Sequence, residues 1–489
     1  MKYIVRLFPE ISIKSKPVRN RLIKLVRQNI SNVCQRHQVK VSALCEWDKI
    51  IVNFNDETKS EEELKQTAIR ELSRIPGIHS FMEVREFKFE SLDTLFETIK
   101  DMCGPAIIGH TFAVRIKRRG NHEFKSQEAE RVIGGKFKAN FPNKGVSLDN
   151  PEVTIHIDIE HDRAYISGER ILGLGGYPVG SQGDVMTLIS GGFDSGVSTY
   201  KVIHRGCRVN YLFFNMGGTA HEIGVKQESY YLWDRFASSH KVRFITIPFE
   251  EIVGQILERT HHGVRGVILK RMMMRVGSII AKKFGCEALV TGESLGQVSS
   301  QTLRNLTHID DVCDVLLMRP LITSDKQEIV DEARRIGTAG MAEAMPEYCG
   351  VISDHPNVCP KQDFVIEEES KMDLAELVEK AVENCKVIDI QDIPEDTNRL
   401  QTEVDIVDNL HSNDVVLDVR SPDDSEKNPI DVKDHEVILM PFYKIAKEFN
   451  TLDQIKTYAL YCDQGVMSIM QARQLKEMGY HNVRVWRPK

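Results

Sequence analysis

The sequence predicts a multidomain protein built from α+β and α/β units, and three observations carry that prediction. At 489 residues the chain is longer than one core holds, since domains run to about 100–200 residues each. Its first third mixes short strands with amphipathic helices. Its middle is a succession of apolar strands separated by helices, the pattern of a parallel sheet covered on both faces.

Taken in order, residues 2–8 read as a strand, and 18–33 as a helix with Leu22, Ile23, Val26 and Ile30 on one face among Lys and Arg. A strand over Lys49–Phe54 and a helix over Glu61–Leu72 follow, closed by Arg74-Ile75-Pro76-Gly77, a terminator and turn. These make a small unit of the ferredoxin-like kind. A second α+β unit has a helix over 92–102, a strand over 111–116, a helix over 128–140 and a strand over 153–159. The parallel sheet is expected from strands at 185–189, 209–214, 243–247 and 288–291, with a helix over 197–205. Residues 360–400, rich in Glu, Asp and Lys, read as a charged helix and linker. From about Val404 come a strand at 415–419, a turn at 421–424, a strand at 437–440, a helix at 444–449, a strand over Thr457–Tyr461 and a helix at 468–478.

Composition narrows the function classes. Hydrophobic residues at 41% and charged residues at 28% are globular values, and no apolar run approaches the ~20 residues that cross a bilayer. Lys2, Arg6 and Glu10 interrupt the N-terminal segment, so no secretory signal is read and the cytoplasm is expected, with no membrane partner. The ten cysteines include no Cys-x-x-Cys pair, which argues for free thiols rather than a zinc ribbon or disulfide scaffold, and no protein-held metal site is expected. Cys34, Cys45, Cys103, Cys207, Cys286, Cys313, Cys359 and Cys385 read as residues without chemistry. Net charge is −7 overall, yet residues 1–144 hold 27 Lys and Arg against 18 Asp and Glu, a net +9, leaving −16 for the rest. A basic front on an acidic body places any nucleic acid at the N-terminal third. Arg115, Lys117, Arg118 and Arg119, with Lys125, Lys136, Lys138 and Lys144 nearby, suit phosphate contacts and recognition of folded RNA by shape.

Two motifs carry chemistry. Ser190-Gly191-Gly192-Phe193-Asp194-Ser195 lies between an apolar strand and a helix, where backbone N–H groups and the helix dipole favour an anion and glycines let phosphate oxygens approach. The spacing is neither a Walker loop nor a dinucleotide fingerprint. It resembles the pyrophosphate loop of ATP pyrophosphatases, which leave an adenylate on a substrate oxygen, and the stretch Thr291 to Gln297 after another strand supports that reading. Three uses stay open at this point: activation of an RNA base, activation of a small carboxylate or amide, and RNA binding without catalysis.

The second motif is Cys462-Asp463-Gln464-Gly465-Val466-Met467 at a strand end, with a helix expected from Ser468. A cysteine ringed by inward N–H groups has a lowered pKa and stabilises a bound anion. A phosphatase loop of the form Cys-x5-Arg would need Arg where Ser468 stands. The six-residue loop resembles that of rhodanese, whose cysteine carries a persulfide, with Met467 in place of a frequent Arg, which favours delivery from a protein persulfide over thiosulfate. The pair His261-His262 reads as surface and Met272-Met273-Met274 as core.

With both motifs placed, the chain resembles the long form of bacterial tRNA 4-thiouridine synthases. The resemblance is carried in order by Leu7-Phe8-Pro9-Glu10, Arg74 to His79, Val114 to Gly120, the Ser190 to Ser195 loop, Thr291 to Gln301, Met345-Pro346-Glu347-Tyr348-Cys349-Gly350 and the Cys462 loop. It implies a ferredoxin-like domain at 1–60, an RNA-binding THUMP domain at 61–168, a parallel-sheet ATP pyrophosphatase (PP-loop) domain at 169–385, a linker at 386–402 and a rhodanese-like domain at 403–489. It also implies ATP contacts at Leu188, Ile189, Ser190, Gly191, Gly192, Asp194, Ser195, Lys270, Gly292 and Gln301, with Mg²⁺, and roles in activation for Asp194 and Lys326. Sulfur is expected to reach Cys462 from a cysteine desulfurase and to pass to uridine 8 of tRNA, with a Cys349–Cys462 disulfide formed in turnover. A small sulfur-carrier protein of thiamine biosynthesis is the further implied partner.

Overall fold

The computed structural model describes the chain except residues 47–48, 217, 346–354, 400–403, 421, 433, 464 and 489. It divides into two compact units, Met1–Pro178 and Val179–Lys489.

The first unit is built on one nine-stranded sheet. Its strands are β1 (Lys2–Leu7), β2 (Val41–Glu46), β3 (Lys49–Phe54), β4 (Ile78–Lys88), β5 (Thr111–Arg119), β6 (Gly145–Val146), β7 (Val153–Glu160), β8 (Arg163–Ser167) and β9 (Ile171–Leu172). The order is β2-β3-β1-β4-β8-β7-β5-β6, with β9 added on β4. Strand β4 is shared: its first half pairs with β1 through Phe81 and Val5, its second with β8 through Val84 and Ser167. Two cores result. One gathers Tyr3, Val5, Ile30, Val52, Phe54, Leu64, Ala68 and Leu72; the other gathers Phe96, Phe112, Ile133, Phe137 and Ile157. The helix Glu61–Leu72 therefore belongs to the first core, which corrects the boundary expected at residue 60. A capping box starts it, with Glu63 N–H donating to Ser60 Oγ at 3.3 Å and Ser60 N–H to the Glu63 carboxylate at 2.7 Å. It ends before Gly77, whose φ of +102° suits glycine and turns the chain into β4.

The second unit contains two sheets. The larger comprises β10 (Asp184–Leu188), β11 (Arg208–Asn215), β12 (Arg243–Pro248), β13 (Ala288–Val290), β14 (Leu316–Met318) and β15 (Lys386–Asp389), in the order β14-β13-β10-β11-β12-β15. All neighbours are parallel except β15, which is antiparallel to β12. The chain runs outward from β10 to β11 and β12, then returns to the opposite side as β13 and β14. That reversal opens a crevice beyond the carboxyl ends of β10 and β13, where open α/β sheets bind ligands.

The expected linker is corrected by this sheet. Residues 362–369 and 374–383 are helices packed on its core through Val365, Leu377 and Ala381, and 386–389 are a strand. The buried charges among them are paired rather than solvated: Glu369, 3% exposed, takes Arg271 at 2.9 Å and Arg275 at 2.7 Å. Paired charges at a helix interface read in sequence like a solvated tether, and that is the reason for the difference.

The smaller sheet is wholly parallel, with β16 (Ile406–Val407), β17 (Asp414–Asp418), β18 (Val437–Leu439), β19 (Thr457–Tyr461) and β20 (Val483–Trp486) in the order β16-β20-β19-β17-β18. It too reverses direction, between β17 and β19. A helix Pro422–Lys427 stands where a turn was expected, and the helix expected from Ser468 starts at Val466.

Candidate functional site

The crevice of the larger sheet collects most of the residues expected to hold ATP. Leu188 ends β10, and buried Ile189 leads into Ser190. Gly191 has φ +85°, in the left-handed region that glycine enters without strain. Gly192 is the N-cap of the helix Phe193–His204 and brings no side chain to cap it, so among the described residues that helix start has no side-chain cap and suits an anion. Ser195 closes the loop, donating to the Gly192 carbonyl at 3.0 Å and accepting from Ser190 N–H at 3.3 Å. His221 faces the Ser190 carbonyl at 3.0 Å, and burial holds its imidazole below the usual range. Gly292, just beyond β13, leans on the same loop: a Cβ there would lie 2.5 Å from the Asp194 carbonyl carbon. Only glycine lets the two turns approach so closely.

Charged side chains ring this crevice. Asp194 accepts from Lys326 at 2.9 Å and from Gln297 at 2.8 Å, so the two residues expected to act in activation meet. Lys326 opens the helix Lys326–Ile336, whose N-cap is Asp325. Lys270, on the helix Arg265–Lys283, reaches Glu293 at 2.8 Å. Burial raises the Glu293 carboxyl, but Lys270 and Arg319 outweigh it and leave the group at about 2. Gln301 supports the far turn, accepting from Ser294 N–H at 3.3 Å. Glycine-lined backbone at the start of the helix Phe193–His204 fits a polyphosphate. Among the described residues no group of three His, Cys, Asp or Glu could hold a metal; Mg²⁺ would enter on the phosphates, with Asp194 the carboxylate at hand.

The smaller sheet places Cys462 just after β19. Sγ accepts from Ser468 N–H at 3.4 Å and lies 3.5 Å from Ser468 Oγ, so the helix Val466–Glu477 aims its first turn at the sulfur. Gly465, φ +74°, makes the tight turn. Beside it, Arg420 follows β17 and pairs with Asp418 at 2.8 Å, Asp463 at 3.1 Å and the Tyr461 ring at 5.2 Å. Arg420 is 5% exposed and was not singled out from the sequence, although Asp418-Val419-Arg420 at the end of an apolar strand is a signal that could have found it. Glu293, Arg319 and His221 were missed as well, because their partners lie on other elements. Cys349 lies outside the described residues.

In the first unit, Arg115, Lys117, Arg118 and Arg119 fall on β5. Lys117 and Arg119 are exposed with no side-chain partner among the described residues, whereas Arg115 donates to the Leu148 carbonyl and Arg118 to that of Gly120 at 3.5 Å. Lys136 pairs with Asp93 at 2.7 Å and Lys144 with Glu152 at 3.7 Å. The rings of His261 and His262 stack 4.1 Å apart, and Met272 and Met274 are core. Every described cysteine is a free thiol. No described helix is long and apolar enough to cross a membrane.

Comparison with known proteins agrees with this architecture module by module. Family models match as the ThiI ferredoxin-like domain over residues 2–82, the THUMP domain over 89–169, the thiamine biosynthesis protein (ThiI) over 180–374 and the rhodanese-like domain over 402–487. The tRNA sulfurtransferase of Tolumonas auensis is 49% identical over 488 residues, and that of Haemophilus influenzae strain PittEE is 50% identical over 489, each covering 100% of both chains. Among solved structures, a 4-thiouridine synthetase–RNA complex with bound ATP is 26% identical with a TM-score of 0.69, covering 79% of this chain and 99% of that one. A glycine-lined loop, a capped thiol and full-length identity near one half lead to the same conclusion: the chain belongs to the tRNA sulfurtransferase (ThiI) family.

Proposed function

We propose that the protein uses ATP to adenylate the C4 oxygen of uridine 8 in tRNA and replaces that oxygen with sulfur carried on Cys462, forming 4-thiouridine. The observation that carries the reading is the placement of two sites in one compact unit. A glycine-lined loop and a helix-capped cysteine each lie at the reversal point of a parallel sheet. A pyrimidine carbonyl oxygen is a poor leaving group, so it must become a phosphate ester first. Lys270 and Lys326 offset charge on the phosphates, and the helix start after Gly192 receives them.

The sulfur step balances with thiols alone. The terminal sulfur of a Cys462 persulfide attacks activated C4, AMP leaves, and Cys349 then attacks Cys462 Sγ, expelling the thiolated base and closing a disulfide that a dithiol reductant reopens. Alternatively Cys349 attacks first and frees sulfide for C4. A cysteine desulfurase is the proposed donor, and a small carrier protein of thiazole synthesis for thiamine the second acceptor. The names of the relatives, and the RNA and ATP held by the 4-thiouridine synthetase, support tRNA and ATP as substrates.

Mass spectrometry of tRNA nucleosides from cells lacking the protein tests the reading. Loss of 4-thiouridine, together with tRNA-dependent pyrophosphate release by the purified chain, is expected. Undiminished 4-thiouridine sinks it, and pyrophosphate release driven by a small carboxylate without tRNA would move the activity to another acceptor.

A further inference from the structure

Lys270, like Lys326, has one hydrogen-bond partner among the described side chains and two open donors, but it is the more buried of the two. Its ammonium, four-fifths buried, lies 2.8 Å from Glu293, and no other described side chain bonds to it. Glu293 is 5% exposed and is itself fully engaged. One oxygen takes Lys270; the other accepts from Arg319 Nε at 2.8 Å and Thr291 Oγ1 at 3.1 Å. Arg319 directs its remaining nitrogens to Asp310, through Nη1 at 3.1 Å and through Nη2. This ionic chain runs from the end of the helix Leu303–Asp310 inward to Gly292, which abuts Asp194.

A carboxylate beside an anion site repels the anion, and an alkyl ammonium on a four-carbon stem is mobile unless something holds it. Arg319 offsets the first effect and Glu293 removes the second. We propose that Glu293, set by Arg319 and Thr291, is a positioning residue for Lys270, fixing the ammonium so that its two free N–H groups meet the phosphates as pyrophosphate departs. The proposal rests on reading this loop as the ATP site. An ammonium held in place before reaction stabilises the charge that develops in the transition state more than it strengthens ground-state binding, so the effect falls on kcat rather than on KM for ATP.

Steady-state pyrophosphate release by the full chain, with ATP varied and tRNA saturating, tests this in Lys270→Ala, Glu293→Gln, Arg319→Lys and the double variant Lys270→Ala/Glu293→Gln. Glu293→Gln is expected to lower kcat on the order of 10²-fold with KM changed only a few-fold. The double variant should be no slower than Lys270→Ala alone, because residues that act as a unit are not additive. Arg319→Lys should give a smaller kcat loss that vanishes in the Lys270→Ala background. Unchanged kcat in Glu293→Gln overturns the proposal, as does a double variant whose loss is the product of the two single losses. Should thermal melting show Glu293→Gln unfolded, Arg319→Lys carries the same test. If the wild type binds ATP yet releases no pyrophosphate with tRNA, the functional reading fails by itself. Coupling between the two positions in the Kd for ATP then decides the positioning role, additive losses overturning it.

Discussion

Asp194 has both carboxylate oxygens engaged, by Lys326 and by Gln297, at the open end of the glycine loop. Replacing it by alanine leaves in place the backbone proposed to receive phosphates but releases Lys326 from its anchor. Pyrophosphate release by Asp194→Ala should fall by on the order of 10²-fold or more, while tRNA binding, measured by filter retention, stays near the wild-type value. Normal release would remove Asp194 from the reaction. A second residue, invisible in the sequence, is Glu228. It is fully buried, neither carboxyl oxygen has a hydrogen-bond partner among the described residues, and Oε1 lies 2.2 Å from where a Cβ on Gly196 would sit. Burial raises its pKa from 4.5 to about 8. A carboxyl whose folded pKa is raised binds more protons folded than unfolded, so its stability contribution is complete below pH 4.5 and is lost as pH rises through about 8. Glu228→Gln should therefore melt at a temperature that exceeds the wild type by more at pH 8 than at pH 5; a pH-independent difference would count against a buried neutral acid there.

At the scale of the element, β5 turns a basic cluster into a geometry. Alternation along the strand puts Arg115, Lys117 and Arg119 on one face and Arg118 on the other, and two of the four already bond to backbone carbonyls. Reversing the charge of Lys117 and Arg119 should weaken tRNA binding and reduce its salt slope by about one unit per lost phosphate contact. The same reversal at Arg115 and Arg118 should cost less of the slope. A slope unchanged in the Lys117 and Arg119 variant would make these residues ordinary solvated surface. The Cys462 element carries a similar lesson. Its loop is shorter than the six residues read from sequence because the helix begins at Val466, and that brings Ser468 N–H to the sulfur.

For the whole molecule, the second unit joins its two sheets through more than chain continuity. Met341 packs with Val415, Leu417 and Phe442, and the rings of Tyr231 and Phe442 lie 6.3 Å apart. Lys226, 4% exposed, grips Glu222 at 2.6 Å and Asp396 at 2.7 Å, which ties the segment leading to the smaller sheet down onto the larger one. Sulfur transfer between Cys462 and Cys349 is thus proposed to occur within a packed assembly rather than on a free tether. Cys462→Ala should block persulfide loading, whereas Cys349→Ala should load sulfur and fail in 4-thiouridine formation. A single turnover without reductant should leave a Cys349–Cys462 crosslink in peptide maps of the wild type. Full synthesis by Cys349→Ala would leave Cys462 to act alone.

Local chemistry determined what the sequence alone could state. Period and turn residues placed most of the helices and strands read from the sequence within one to three residues of their observed bounds. The glycines of Ser190 to Ser195 and the cysteine at the end of Thr457–Tyr461 stood out in the sequence because each motif is local, made by its own strand end, turn and helix start. Tertiary structure decided the rest, for the reason that those features are made by pairing across distance. The helix Glu61–Leu72 joins the first core through side chains that could have faced either module. Residues 362–383 fold onto the sheet because Glu369 finds Arg271 and Arg275 about a hundred positions earlier. Gly292 meets Asp194, and Lys270 meets Glu293, only after β13 returns to lie beside β10. A sequence shows which groups carry charge; burial and neighbours, set by the path of the chain, decide which of those charges are held and which are free to act.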